Sequence, residues 1–286
     1  MKLLSKQQGL TLVELMITAA LSIVVVYFVT NIMLSSSRNS QQSEGLAQAQ
    51  ENSRFILTWL QSGIRRAGFP NPEGMATSGI QPFANLCPAG SPVPPADNAD
   101  CSFEADDQSD RIAVQRTFYT NGTDAEKSDC SGAAITGRTT GDIITDVYWL
   151  ETETTVDIAA GYNRVLKCVS YYNHTKVNPS QSIASGIESL HILYGLAQDL
   201  GNDASGNPIN PENKTSVYRY ASLTELGSNL NWSMIQAVRI GILTRSFSEA
   251  TLEKKSRTYS VLDATAIVEN DRVARQLLAT TILLPN

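Results

Sequence analysis

The feature that most constrains this chain is an apolar run near its start that contains one acidic residue. The run covers 25 residues, from Leu10 to Leu34, and carries Glu14 five residues after Gly9. A run of this length spans a bilayer as a tilted helix. A carboxylate at the centre of a bilayer helix costs about 2.5–3.5 kcal/mol, whereas the best apolar residues gain only about 0.3–0.6 kcal/mol each. The sequence therefore predicts a charged partner for Glu14.

The segment before the run is short and polar, with cations at Lys2 and Lys6. A secretory signal peptide has its small-residue cleavage site after the apolar core, but here the small residue at the junction is Gly9, ahead of the run. Cleavage after Gly9 leaves the apolar helix on the protein and creates a new α-amine at Leu10, close to Glu14. The two lysines predict a cytoplasmic N-terminus and an extracytoplasmic body.

The order of Gly9, Glu14 and the apolar run resembles the class III signal of type IV prepilins and type II secretion pseudopilins. The resemblance implies that a membrane prepilin peptidase cleaves after Gly9 and methylates Leu10, and that Glu14 pairs with an N-terminal amine in a filament core. Leu10 stands where the family usually has phenylalanine, and Asn31 where major pilins usually have proline. A plain membrane anchor with an incidental glutamate is the alternative.

Helical periodicity continues beyond the apolar run. The apolar residues recur at helical spacing as far as Ala67, and no proline occurs before Pro70. The pattern predicts one rod of nearly 60 residues, about 85 Å long. It comprises a leader at 1–9, a transmembrane or filament-core helix at 10–34 and an amphipathic continuation at 35–68. Two helices with a break near Ser36 are the alternative.

The four cysteines predict that the extracytoplasmic body is cross-linked by disulfide bonds. An even number of cysteines on the far side of a membrane indicates disulfides, and the sequence allows three pairings. We predict Cys87–Cys101, which closes a proline-rich loop at about 3 kcal/mol in the chain-entropy model, and Cys130–Cys168. The region 69–110 also holds an acid cluster that ends at Asp110. A solvated loop is the expectation for this cluster, and a cation or partner surface is the alternative.

Residues 111–286 predict a β-rich globular head. Alternating apolar and polar residues or β-branched runs predict strands, and the long helix buries its apolar stripe against them. The predicted fold class is α+β, with one long N-terminal helix packed on a mainly antiparallel sheet. The predicted strands are 111–120, 143–150, 164–172, 187–196, 237–244 and 276–284, with a short helix at 222–229.

Composition argues against several functions. A net charge of −6 disfavours nucleic-acid binding, which requires a basic surface. The sequence has no phosphate loop, nucleophile elbow or zinc-protease motif, and its two histidines, His174 and His191, are isolated in sequence. We therefore predict no enzymatic activity, and a structural or solvated role for His191. Asp199 and Asp203 flank a glycine turn that is a weak Ca²⁺ candidate, against a plain surface turn. No other cofactor is predicted.

The C-terminal half carries a second resemblance. The segment 187–195, the loop that follows, Trp232, the strand at 237–240 and the basic turn from Arg272 to Arg275 together resemble PilW-type minor pilins. The chain is longer than the related PulJ-type pseudopilins. The resemblance implies a pilin-like fold and a single-pass protein of the bacterial inner membrane, with a periplasmic body that later enters the pilus tip.

That resemblance also implies a function. It describes a minor pilin that primes or caps type IV pilus assembly in a tip complex and supports adhesion, twitching motility or DNA uptake. Its implied partners are other minor pilins, the major pilin, the prepilin peptidase, the inner-membrane assembly platform and a large tip adhesin. Two alternatives remain: a PulJ-like pseudopilin of type II secretion, and a membrane-anchored extracytoplasmic binding protein that uses the proline-rich loop and acid cluster.

Overall fold

A computed structural model gives the architecture of most of the chain. It describes residues 11–68, 83, 87, 99–105, 109–118, 128–153, 164–197, 217–227, 232–251 and 253–284. Two α-helices are present, α1 at Leu12–Ile64 and α2 at Leu223–Leu226, together with a 3₁₀ turn at Trp232–Met234. The strands are β1 Ile112–Thr117, β2 Ile143–Thr152, β3 Arg164–Tyr172, β4 Thr175–Lys176, β5 Gln181–Ser185, β6 Ile187–Leu196, β7 Arg219–Ala221, β8 Ile235–Glu249, β9 Lys255–Tyr259, β10 Ile267–Asp271 and β11 Val273–Leu283.

Helix α1 is a single rod of 53 residues, about 80 Å long. It passes through Ser36 without a break, so the one-rod prediction is confirmed and the two-helix alternative is wrong. The predicted end at Ala67 lies three residues too far along the chain. After Ile64 the backbone forms tighter turns, in which Ala67 N–H donates to the Ile64 carbonyl at 2.9 Å. Such turns satisfy carbonyls that have no partner at a helix end.

The strands form three antiparallel sheets. A four-stranded sheet has the order β11-β8-β6-β7, and a five-stranded sheet runs β1-β2-β3-β4 with β5 also paired to β3. Strands β9 and β10 pair only with each other among the described strands. The two larger sheets are linked by main-chain bonds, including Asp110 N–H to the Leu190 carbonyl at 2.8 Å. The α+β class with one long helix is as predicted.

The main core lies between α1 and the four-stranded sheet. Strand alternation turns the even-numbered residues of β6 and β8 to one face, and these residues are buried together with the apolar stripe of the helix. This stripe includes Ile56, Leu60 and Ile64, each at most 1% exposed. The core members from the two strands are Leu190, Ile192, Tyr194, Leu196, Val238, Ile240 and Ile242.

The helix approaches the head most closely at two glycines. A methyl group added at Gly45 would lie 2.6 Å from Ala250 Cβ, and one at Gly63 would lie 2.3 Å from Tyr148 Oη. Between these points Ser53 Oγ lies 2.5 Å from Thr244 Oγ1, and the Thr244 hydroxyl donates to the Ala49 carbonyl at 3.0 Å. The two glycines, which have no side chain, and the buried Ser53–Thr244 hydroxyl pair fix the position of α1 along β8.

The five-stranded sheet is buried on both faces. One face contributes Tyr148, Leu166 and Cys168 to the main core. The opposite face carries a second cluster of Ala113, Val147, Trp149, Val169 and Tyr171. Runs that are apolar at consecutive positions are typical of such two-sided strands.

The predicted strands match in part. β3 and β6 have the predicted bounds, and β2 and β8 extend beyond their predicted ranges. β1 is shorter than predicted at both ends, and β11 begins three residues before and ends one residue before its predicted range. The helix expected at 222–229 is only the four residues of α2, which begins with a capping box at Ser222. Strands β4, β5, β7, β9 and β10 were not predicted, because they are short and mostly half-exposed and carry no apolar alternation.

Candidate assembly site

The N-terminal half of α1 extends away from the head. Every residue from Thr11 to Glu44 is exposed, and Gly45 is the first buried residue of the helix. This exposed half, Leu12 to Glu44, is about 50 Å long. Among the described residues, it bears most of the exposed large apolar side chains, with Ile17, for example, 55% exposed. So much apolar surface requires a bilayer or neighbouring helices as its environment.

Among the described residues, α1 is the one helix long and apolar enough to cross a membrane. The apolar stretch lies at its N-terminal end and is not buried against the rest of the molecule. A core helix of a soluble domain would be covered by its own protein. The arrangement is compatible with a single membrane anchor.

Glu14 lies in the first turn of this exposed half. The helix begins after Thr11, whose side-chain oxygen accepts a hydrogen bond from Glu14 N–H at 3.3 Å. A carboxylate in the first turn gains about 0.3–1 kcal/mol from the helix dipole. This gain is smaller than the cost of about 2.5–3.5 kcal/mol for a buried charge in a bilayer. No ion pair to Glu14 occurs among the described residues, so the charged partner that the sequence predicts for Glu14 stays a prediction.

The other predicted N-terminal residues, Gly9 and Leu10, lie outside the described residues, and so do the calcium candidates Asp199 and Asp203. Within the described part of the chain, no group of three or more histidine, cysteine, aspartate or glutamate side chains is placed to hold a metal ion. Processing at Gly9 and calcium binding therefore stay predictions.

Both predicted disulfides are present. Cys87 and Cys101 have Cα atoms 4.9 Å apart, and those of Cys130 and Cys168 are 6.2 Å apart. Both separations lie in the ordinary range for disulfides. The second bridge ties the segment before β2 to the centre of β3, so it joins regions 38 residues apart. In the chain-entropy model it stabilises the head by about 4 kcal/mol.

The end of the acid cluster differs from its prediction as a solvated loop. Asp110 is buried, and its carboxylate accepts hydrogen bonds from Ile192 N–H at 2.7 Å and Ala105 N–H at 3.2 Å. Burial raises the pKa of the Asp110 carboxyl, an effect opposed by the neighbouring His191. His191 Nδ1 lies 3.5 Å from Asp110 Oδ1 and is itself buried, so this histidine has the predicted structural role.

His174 also has an acidic neighbour. Its Nδ1 lies 2.6 Å from Asp100 Oδ2, on the exposed side of the head. Both histidines look isolated in the sequence, because their aspartate partners are 74 and 81 residues away along the chain. Two separate histidine–aspartate pairs therefore hold Asp100 against the β3–β4 turn and Asp110 against β6.

The segment predicted as a basic turn, Arg272 to Arg275, already belongs to β11 from Val273 onward, and its Arg275 forms an ion-pair network that periodicity did not reveal. The Arg275 guanidinium is buried between Glu188 of β6 and Asp271 of β10, and its Nη2 donates to Glu188 Oε1 at 2.9 Å and Asp271 Oδ2 at 2.7 Å. Burial lowers the pKa of Arg275, but these carboxylates outweigh it and raise the pKa overall. The hydrogen bond from Arg275 in turn lowers the pKa of Asp271. The network fastens the β9–β10 hairpin to the four-stranded sheet.

A second buried pair lies beside the end of α1. Arg116 of β1 donates to Asp146 of β2, and both side chains are at most 3% exposed. Asp146 also accepts a hydrogen bond from the Ser170 hydroxyl. Arg66, just beyond α1, lies 4.0 Å from the same carboxylate. The pair therefore couples the two strands to the C-terminal end of the helix.

A polar cleft lies where the exposed half of α1 meets the head, and we name it the helix–head cleft. It has a volume of about 470 Å³, and its walls are residues 35, 38, 39, 41 and 42 of α1 and residues 249–251, 253, 255 and 272 of the head. Ser35, Arg38, Gln42 and Gly45 follow each other at intervals of three and four residues, so they share the side of α1 that faces the head.

Together these features describe a subunit whose folded head leaves a long apolar helix uncovered for a membrane or for other helices, which is the pilin-like arrangement. Residues 147–286 match the family model PilW, described as Type IV Pilus-assembly protein W. The match confirms the resemblance to PilW-type pilus-assembly proteins over the C-terminal part of the chain. A search of curated proteins finds no match. Among solved structures, a type IV-like pilin from Thermus thermophilus aligns with a TM-score of 0.44 and 10% identity, covering 82% of this chain and 96% of that protein.

Proposed function

We propose that this protein is a minor pilin that primes or caps type IV pilus assembly in a tip complex. The observation that carries the proposal is the exposed half of α1, a rigid apolar helix with Glu14 in its first turn, attached to a head whose C-terminal part matches a pilus-assembly family. The helix dipole offsets only part of the cost of placing the Glu14 carboxylate in the bilayer. A neighbouring subunit that presents a cation at the same depth therefore binds preferentially. The N-terminal amine of an adjacent subunit is such a cation.

The subunit passes through several states before it becomes part of the pilus. The prepilin is inserted in the inner membrane with its N-terminus cytoplasmic and its head periplasmic, and the prepilin peptidase cleaves after Gly9 and methylates Leu10. The assembly platform then brings the exposed half of α1 against the helices of other minor pilins and the major pilin. The head contacts neighbouring heads and a large tip adhesin. Adhesion, twitching motility or DNA uptake follows from the assembled pilus, and the subunit itself catalyses no reaction.

Intact mass and N-terminal sequencing of the protein from its native membrane test the first step. We expect a chain that starts at N-methylated Leu10. A chain that starts at Met1, or within the apolar run, contradicts the proposal and returns the protein to the class of anchored extracytoplasmic binding proteins. Sheared pili separate the remaining possibilities, because a minor pilin is present there in small amounts and a pseudopilin of a secretion system is absent.

A further inference from the structure

We propose that the helix–head cleft binds the phosphate of an anionic phospholipid headgroup while the subunit is in the membrane. The proposal rests on the membrane-anchored state that the proposed function requires, but it does not depend on filament assembly. Three observations support the proposal. The cleft begins where the apolar run ends, its walls carry a net positive charge, and the two walls are held at a fixed distance.

The cleft begins where the apolar run ends. The described apolar stretch, Leu12 to Leu34, has 23 residues and is about 34 Å long, slightly more than the hydrocarbon core of about 30 Å. Ser35, the next residue, is the first cleft residue of α1. Arg38 lies about 6 Å beyond Leu34 along the helix axis, which places it in the headgroup layer. The cleft therefore opens among phosphates when the apolar run spans the bilayer.

The walls of the cleft suit an anionic, hydrogen-bonding ligand. Its three cations are Arg38, Lys255 and Arg272, against two carboxylates, Glu249 and Glu253, which gives a net charge of +1. Arg272 Nη1 is already paired with Glu249 at 3.3 Å. Among the described residues, Arg38 and Lys255 form no ion pair, and both are exposed. An arginine and a lysine on opposite walls provide a bidentate donor and a point charge for a phosphodiester.

The two walls are held at a fixed distance. Gly45, one turn beyond the last cleft residue of α1, is in close approach to Ala250 on the opposite wall. Main-chain bonds from Ala250 N–H and Thr251 N–H to the Arg272 carbonyl, at 2.9 and 3.0 Å, hold the head side of the cleft together. Because the cleft is formed before any ligand binds, little ordering opposes binding. The lipid acyl chains can follow the apolar surface of α1 below Ser35.

Lipid retention by the full-length protein tests the proposal. The protein is reconstituted in nanodiscs that contain phosphatidylcholine with phosphatidylglycerol, released into detergent, and analysed by native mass spectrometry for bound lipid. We expect preferential retention of phosphatidylglycerol, reduced by about tenfold in the double variant Arg38→Gln/Lys255→Gln, since each basic residue near an anionic surface contributes by electrostatic attraction. The matched control, Arg54→Gln/Arg65→Gln, removes two exposed cations of α1 and its flank away from the cleft and should retain lipid as the wild type does.

Equal retention of phosphatidylglycerol by the wild type and the cleft variant overturns the proposal. A second arm adds inorganic phosphate to the detergent-solubilised protein. If phosphate alone displaces the lipid at comparable concentration, the cleft recognises a free anion and the lipid assignment is wrong. Thermal unfolding of the variants confirms that the heads are folded. The two proposals can fail separately. If the wild type retains no phosphatidylglycerol but enters pili, only the lipid proposal is wrong. If it retains the lipid but does not enter pili, only the proposed function is wrong.

Discussion

The two halves of α1 belong to one continuous helix but have opposite surroundings. Every residue from Leu12 to Glu44 is exposed, whereas from Gly45 to Ile64 one side of the helix is buried against β8, β11 and Tyr148 of β2. The packed half contains glycines and a serine at its points of closest approach, and the exposed half contains large aliphatic side chains, with Glu14 the one carboxylate within its apolar run. The small residues let the packed half approach the head closely, whereas the large side chains of the exposed half are left uncovered.

The difference separates stability from assembly. Residues of the packed half contribute to the free energy of unfolding of this chain, since their contacts are lost when the head unfolds. The residues of the exposed half are not buried against the head, so they affect this free energy little. Their contribution is to membrane insertion and to contacts with other subunits. Substitutions in the two halves should therefore have separable effects.

The largest expected effect is on assembly, from Glu14→Ala in the exposed half. Truncating one partner of a desolvated charge pair costs about 2–5 kcal/mol, so we expect incorporation into sheared pili to fall on the order of tenfold or more. The urea midpoint of the head should not change. Glu44→Ala, an exposed carboxylate of the same half outside the apolar run, is the control and should assemble normally. A destabilised head in Glu14→Ala would contradict the expectation that the exposed half affects assembly and not the free energy of unfolding.

On the head side, the largest expected effect is from Asp146→Asn. The substitution removes the carboxylate charge that pairs with the buried Arg116 guanidinium, and breaking a buried pair costs about 3–5 kcal/mol. Equilibrium urea unfolding of the protein in detergent should show this loss, with the exposed half still helical by circular dichroism. Glu151→Gln, in the same strand and paired with Lys167 near the surface, should cost less than about 1 kcal/mol. Similar losses in both variants would contradict the assignment.

A smaller effect is expected where the two halves meet, from Gly45→Ala. Alanine favours the helix by about 0.5–1 kcal/mol, but the added Cβ would lie 2.6 Å from Ala250 Cβ, and overpacking costs about 1–3 kcal/mol. We expect net destabilisation of about 1 kcal/mol in thermal or urea unfolding. Ala47→Leu, exposed on the same helix, adds more volume without a contact and should have no effect. Stabilisation by Gly45→Ala would show that the approach is looser than the structure indicates.

The smallest expected effect concerns pH. Because the hydrogen bond from Arg275 lowers the pKa of Asp271 in the folded state, the carboxylate stabilises the head above its unfolded pKa of about 3.9. This contribution is lost as the pH falls through the lowered folded value. Asp271 is partly exposed, so we expect less than about 1 kcal/mol. The difference in unfolding free energy between the wild type and Asp271→Asn, measured from pH 7 downward, should shrink toward zero in acid. A difference independent of pH would contradict the ion-pair assignment, and Glu253→Gln is the control.

Local sequence patterns predicted much of the fold. The helical period predicted one rod, and the apolar alternation of β3 and β6 gave both strands their bounds. The short spacing of Cys87 and Cys101 left the remaining two cysteines as a pair. These signals succeed because they depend on residues close together in the chain. Strands β9 and β10 were not predicted, since their half-exposed positions carry mixed polar and apolar residues. Their place on the sheet depends on distant contacts, which are the Arg275 network and the packing of Val261 and Leu262 on Gly241 of β8.

The sequence by itself determined the membrane-length apolar run, its single carboxylate and the class of fold, because length, charge and periodicity are local properties. Only the tertiary structure decided which part of α1 is covered by the head, since the boundary at Gly45 depends on Ala250, about 200 residues away. The buried Asp110, the Arg116–Asp146 pair and the helix–head cleft have the same origin. Each joins side chains from distant segments, and their burial and charge balance exist only after the chain has folded.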